Sequence, residues 1–184
     1  MVGRTKVLLR PLLAGMLLLA LPSCAESGGD DTVDGQEAEA TLVQQRTDVR
    51  EAAETLLREA EKSLPGATAN SVGRWDGCES AFNDQFKNFQ YVAQARVDAA
   101  PDAATPYLDA VRPVLEAAGF AVAQVEQPTS GRASLEGRNG DLTAVFVDTG
   151  GPFVGLDVFG PCIEVPEGDR EAWLRRDEPS PNLL

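Results

Sequence analysis

Between Arg132 and Phe159 three apolar runs follow one another with little but turn residues between them. Arg132–Gly137 and Asp141–Asp148 flank Arg138-Asn139-Gly140, and Asn-Gly is a strong hairpin signal because both residues tolerate positive φ. Asp148-Thr149-Gly150-Gly151-Pro152 turns the chain again into Phe153–Phe159. Links this short make neighbouring strands run antiparallel, so this part of the chain must build an antiparallel sheet. Phe120–Glu126 reads as a further strand, closed by Pro128-Thr129-Ser130-Gly131. Phe89–Val97 alternates, with Phe89, Tyr91, Ala93, Ala95 and Val97 on one face.

Two segments carry helical periodicity instead. From Thr41 to Leu64, the residues Leu42, Val49, Ala53, Leu56, Leu57, Ala60 and Leu64 form one stripe, and Pro65-Gly66 ends it. A loop rich in small residues follows, holding Trp75 and Cys78. The second helix has Thr105 as N-cap and Pro106 at its first position. Tyr107, Leu108, Val111, Val114, Leu115 and Ala118 make its apolar face, Gly119 suits the C-cap, and Pro113 should bend it. The C-terminal stretch Glu178-Pro179-Ser180-Pro181-Asn182 reads as frayed, after a short turn carrying Trp173. The expected fold is an α+β two-layer domain of order α-β-α-β-β-β-β. Two helices cover one face of an antiparallel sheet of about five strands.

The first residues are an address rather than part of this fold. Arg4, Lys6 and Arg10 precede the apolar run Leu12–Leu21, which is about half the roughly 20 residues needed to span a bilayer. That pattern is a signal peptide, residues 1–23. It ends Leu21-Pro22-Ser23-Cys24, which resembles the lipobox of bacterial lipoproteins, although Pro22 departs from the usual small residue. The resemblance implies a diacylglycerol thioether on Cys24, cleavage before it, and an extracytoplasmic domain lipid-anchored to the cell membrane, where two or more acyl chains anchor stably. Arginine far outnumbers lysine and alanine is abundant, a bias that suggests a GC-rich, actinobacterial source. Residues 24–40 are then the lipidated N-terminus and a flexible acidic tether, 41–178 a single domain, and 179–184 a frayed end.

Charge and composition remove several classes of function. Loss of residues 1–23 takes away three of the 16 basic residues and none of the 29 acidic ones, leaving a net charge of −16. Such a chain does not neutralise a nucleic-acid backbone, and it is repelled by an anionic bilayer, so the lipid must do the holding. The absence of histidine removes imidazole catalysis and histidine-based metal sites. No phosphate-binding glycine fingerprint occurs. No cofactor and no metal are expected, and the chain reads as non-enzymatic.

With Cys24 acylated, Cys78 and Cys162 remain, an even pair in an oxidising compartment, and a disulfide between them is expected. The folded part resembles the LppA-like envelope lipoproteins of mycobacteria, in which a helix, a cysteine in a Trp-containing loop and a terminal-strand cysteine frame such a sheet. That resemblance implies an anchor and a framework at Cys24, Trp75, Cys78 and Cys162, and no catalytic residue.

Trp75 is either a partner anchor or a cover over the disulfide, the latter being favoured. Asp148-Thr149-Gly150 resembles the triplet of aspartic proteases, but a plain turn explains it better. Asp30–Gly35 looks like a calcium loop but has Thr41 where a bidentate acid is required. In the late strands both alternating faces carry apolar residues, including Phe153 and Phe159 opposite the helix-facing set. Either that second face binds something or Trp173 and the tail complete a second layer over it. The leading expectation is a surface lipoprotein that binds a partner protein or ligand, with Trp75, Phe153 and Phe159 as candidate contacts. The alternatives are a carrier of a lipid or small apolar molecule and, less favoured, a carboxylate hydrolase using Asp148.

Overall fold

The computed structural model describes residues 33–64, 68–78, 86–98, 107–126, 133–149 and 153–183. They belong to one compact unit, Thr32–Leu184.

Helix α1 spans Gly35–Ser63, and the Asp34 side chain caps it by accepting from the Gln36 and Glu37 N–H groups. It therefore starts six residues before the expected Thr41, and residues 35–40 are helix rather than tether. The reason is local: Asp34 supplies the cap, and Ala38 extends the buried stripe. Leu42, Val49, Ala53, Leu56, Leu57, Ala60 and Leu64 are all buried, as their spacing predicts. Each leucine removed from water favours the fold by about 1.5–3 kcal/mol.

Strands β1 (Thr68–Gly77) and β2 (Asn88–Asp98) pair antiparallel over the whole of β1. The segment around Trp75 is therefore a strand, not a loop. Helix α2 (Tyr107–Ala117) carries Pro113 inside it as expected, and Gly119 follows at φ 83°. Its proposed cap, Thr105-Pro106, lies outside the described residues. Strands β3 (Ala121–Glu126), β4 (Ala133–Asn139), β5 (Leu142–Asp148) and β6 (Phe153–Phe159) match the expected runs within two residues. Asn139 pairs with Leu142 around the two-residue loop Gly140-Asp141, with Gly140 at φ 57°. A short β7 (Ile163–Glu164), a 3-10 turn at Glu167–Asp169 and helix α3 (Arg170–Leu174) complete the chain.

The result is an α+β domain with an antiparallel sheet in the order β1-β2-β6-β5-β4-β3, and β7 beside the start of β2. Both long helices lie on one face. Register puts Tyr91, Ala93, Ala95 and Val97 of β2, Leu156 and Val158 of β6, Ala144 and Phe146 of β5 and Leu135 of β4 under them.

Pairing of β2 with β6 stops at Val92 and with β7 resumes only at Phe89, so Tyr91 lacks a strand partner on that side. Gln45 of α1 fills the gap. Its side-chain oxygen accepts from the Tyr91 N–H at 2.6 Å, and its NH₂ donates to Pro161 O at 2.7 Å. A buried amide is tolerated here because both of its ends are used.

The C-terminus is not frayed. Gly73 N–H donates to Pro181 O, Asn182 bridges to Val72, and Leu183 is buried in the main core. Arg50 of α1 holds the Ser180 and Asn182 carbonyls at 2.6 and 3.0 Å.

Candidate functional site

The sheet face away from the helices is assembled by register from alternate residues of every long strand. One row across it reads Arg74, Val92, Phe159, Thr143, Arg138. The next reads Val72, Gln94, Asp157, Val145, Glu136, and a third Asn70, Arg96, Gly155, Val147, Ser134. Phe153 stands opposite Asp98 at the end of β6. None of the helices described above packs on this side. Trp173 and the tail, the other expected cover, lie on the helical side, where Trp173 packs with Ala38, Leu42, Phe89 and Val165.

Within that face apolar residues occupy the middle strands and ion pairs the flanks. Arg74 pairs with Asp76, Arg96 with Asp98 and Arg138 with Glu136, each pair two residues apart on one strand. The spacing is what a pleated strand requires for two side chains to share a face. Phe153, Phe159, Val145 and Val147 are half-buried between these flanks. The Arg96 guanidinium lies over the Phe153 ring, 3.8 Å from its centre. Exposed ion pairs stabilise little, so their contribution here is to keep the rim of the face solvated.

Gly155 leaves a notch in this face. A Cβ built there would meet nothing nearer than Val147 O at 4.0 Å. A hollow of about 340 Å³ opens around it, lined among others by Asn70, Gln94, Arg96 and Asp157. The half-buried Asp157 takes part in no ion pair among the described residues. The notch went unread in the sequence because a single glycine inside a strand pattern carries no sign of what surrounds it.

The three candidate contacts do not come together. Phe153 and Phe159 share the open face but stand at opposite ends of β6, about 20 Å apart at strand rise. Trp75 is on the helical side, edge-on to Tyr91 at 5.0 Å and to Trp173 at 4.9 Å, with Arg176 over its ring. It links the two core clusters and does not cover the disulfide. The Cys78–Cys162 bond is formed, with Cα atoms 6.0 Å apart, and it lies toward the other face, Cys162 Sγ being 3.9 Å from Gln90 Oε1. Cys24 lies outside the described residues.

Asp148 ends β5, and Thr149 Oγ donates to Phe153 O at 2.8 Å, closing a turn between strands. Asp34, the last acid of the calcium-like run, is spent as a helix cap. Among the described residues no group of three acidic or cysteine side chains is placed to hold a metal ion. A cavity of about 590 Å³ lies between α1 and the β4–β5 hairpin, lined by Ala40, Leu142 and Pro161 together with Thr41, Gln44, Gln45, Asp48, Asn139 and Asp141.

One buried polar network ties the C-terminus to the helices. Burial alone would push the Glu178 carboxyl up, but hydrogen bonds from Arg46 and the Ser180 N–H outweigh it and hold the group below its ordinary value. The Tyr91 hydroxyl is pushed up by burial, partly offset by the Arg50 hydrogen bond. This network positions structure and opens into none of the cavities described.

No protein-family model matches the chain, and no curated protein is significantly similar to it. The crystal structure of the candidate lipoprotein LppA from Mycobacterium tuberculosis is a structural neighbour with a TM-score of 0.44 and 11% identity. The match covers 78% of this chain and 91% of that one. At that score and identity the likeness is weak. Among the described residues no helix is long and apolar enough to cross a membrane.

Proposed function

We propose that this chain is a non-enzymatic lipoprotein of the cell envelope, held to the membrane by acylated Cys24, whose domain docks a partner protein on the open face of its sheet. The observation that carries the docking is the notch over Gly155 in a face with an apolar middle and an ion-paired rim. Interfaces place their anchors in such central hollows and leave the polar rim wet. The anchor rests on the basic start, the short apolar run and Leu21-Pro22-Ser23-Cys24.

Two measurements test the two halves. Radiolabelled palmitate should enter the protein in cells and fail to enter Cys24→Ala, which should leave the membrane fraction. Retention of Cys24→Ala in that fraction sinks the anchor. A photo-crosslinking residue at Val145 should trap a protein adduct in whole cells. Gly155→Trp, whose Cβ would have room and whose indole would occupy the notch, should abolish that adduct. An adduct that survives the substitution removes the docking face. A small-molecule adduct in its place would turn the reading to a carrier.

A further inference from the structure

We propose that a second surface, the groove between α1 and the β4–β5 hairpin, docks an extended, positively charged polypeptide segment of another protein. The groove is independent of the sheet face, lying on the opposite side of the domain. It consists of two adjoining hollows of about 590 and 400 Å³ that share Asp48, Asn139 and Leu142. Its helical wall runs from Ala40 to Thr55, about 22 Å at helical rise. That length accommodates six or seven residues of extended chain. Ala40, Ala52, Phe120, Leu142 and Pro161 supply the apolar part of the lining.

Charge selects the occupant. Among the described residues the lining carries Asp48, Glu51 and Asp141 and no lysine or arginine. None of the three acids takes part in an ion pair among the described residues, although Asp48 Oδ1 accepts from Gln44 Nε2 at 2.8 Å. On the open sheet face, by contrast, Asp76, Asp98 and Glu136 are each paired with an arginine of their own strand. Three uncompensated carboxylates spread along an apolar trench favour a segment with basic side chains at its edges, and they repel an acidic one. Gln44 Nε2 donates to Asp48 Oδ1 and Asn139 Nδ2 to Ala118 O, which directs the side-chain oxygens of Gln44 and Asn139 to accept from peptide N–H groups along the same line. The walls are fixed. Gln45 pins α1 to Tyr91 and Pro161, and Asn139 Nδ2 donates to Ala118 O at the hairpin tip.

The test uses the full-length protein in a neutral detergent and an octapeptide alternating lysine and alanine as the probe. Amide NMR shifts should move at Gln44, Asp48, Gly140 and Asp141 as the peptide is added at low salt. The variant Asp48→Asn/Glu51→Gln/Asp141→Asn, whose changes are all at the surface, should bind about tenfold more weakly. A peptide alternating glutamate and alanine should leave the shifts unmoved, and Gly155→Trp should bind as the parent does. Equal binding by the neutralised variant, equal binding of the acidic peptide, shifts confined to other surfaces, or no shifts at about 1 mM lysine peptide would each overturn the proposal.

Discussion

Arg46 on α1 donates from Nε to Glu178 Oε2 at 2.7 Å, joining residues 132 positions apart in the chain. The glutamate side chain is 3% exposed and also accepts from the Ser180 N–H, so one carboxylate orients the start of the C-terminal segment. Downstream of it, Pro181 O meets the Gly73 N–H on the outer edge of β1.

Glu178→Gln should loosen that segment by about 1.5–3 kcal/mol, the range for hydrogen bonds to charged groups. Hydrogen exchange at the Gly73 amide reads this directly, because its acceptor belongs to the segment. Unchanged protection at Gly73 would show that the segment is held without Glu178.

The same carboxyl gives the contact a pH dependence with a definite sign. Its value in the folded state lies below its ordinary 4.5, so the unfolded state binds the proton more readily. The stabilisation is present above that ordinary value and is lost as pH falls through the lower, folded one. Gly73 protection should therefore hold through neutral and mildly acidic pH and drop only under stronger acid. The Glu178→Gln protein should lack that step.

Much of this architecture is readable from residue order, and the parts that are not share a physical reason. The β4–β5–β6 meander announces itself because its turns need Asn, Gly and Pro at fixed places, and α1 because its leucines recur at helical spacing. Strand β1 does not. Thr68–Gly77 is mostly small and polar, and what holds it extended is the full-length pairing with β2. The tail misleads for a related reason: Pro179 and Pro181 cannot donate to a ladder, yet a proline carbonyl can accept from one. Gln45 reads as a polar residue on a helix surface until the gap beside Tyr91 is seen. The open face was legible as a second apolar set, but its notch at Gly155 was not.

Gly73 makes a second sharp prediction. A Cβ at this position would overlap the Tyr91 hydroxyl and crowd its ring. Gly73→Ala should destabilise by about 1–3 kcal/mol, as overpacking does. Tyr91→Phe in the same chain should recover part of that loss, because it removes the atom in closest conflict. Chemical denaturation of the single and double variants gives the coupling.

Ser71 works the other way. It is 4% exposed on the helical face of β1, and its hydroxyl has no hydrogen-bond partner among the described residues. Ser71→Ala removes a desolvated hydroxyl and nothing else, so it should stabilise by about 1 kcal/mol. The denaturant midpoint should rise with an unchanged slope, and a lower midpoint would mean that the hydroxyl is satisfied.

The disulfide closes 84 residues of sequence separation. Replacing both Cys78 and Cys162 by alanine should cost about 4 kcal/mol on the chain-entropy account. Alkylation of the unreduced protein should label neither cysteine.

The order in which the sheet is wired bears on when such a chain can complete its fold. Strand β2 sits between β1 and the late strands β6 and β7, and α1 is fastened through Gln45 to Pro161 and through Arg46 and Arg50 to residues 178–182. Helix α1 and strand β2 thus lack part of their partners until residues 153–182 arrive. A chain threaded across a membrane from its N-terminus would emerge with its earliest helix and strands waiting, and its assembly would be completed from the tail backwards, after translocation rather than during it.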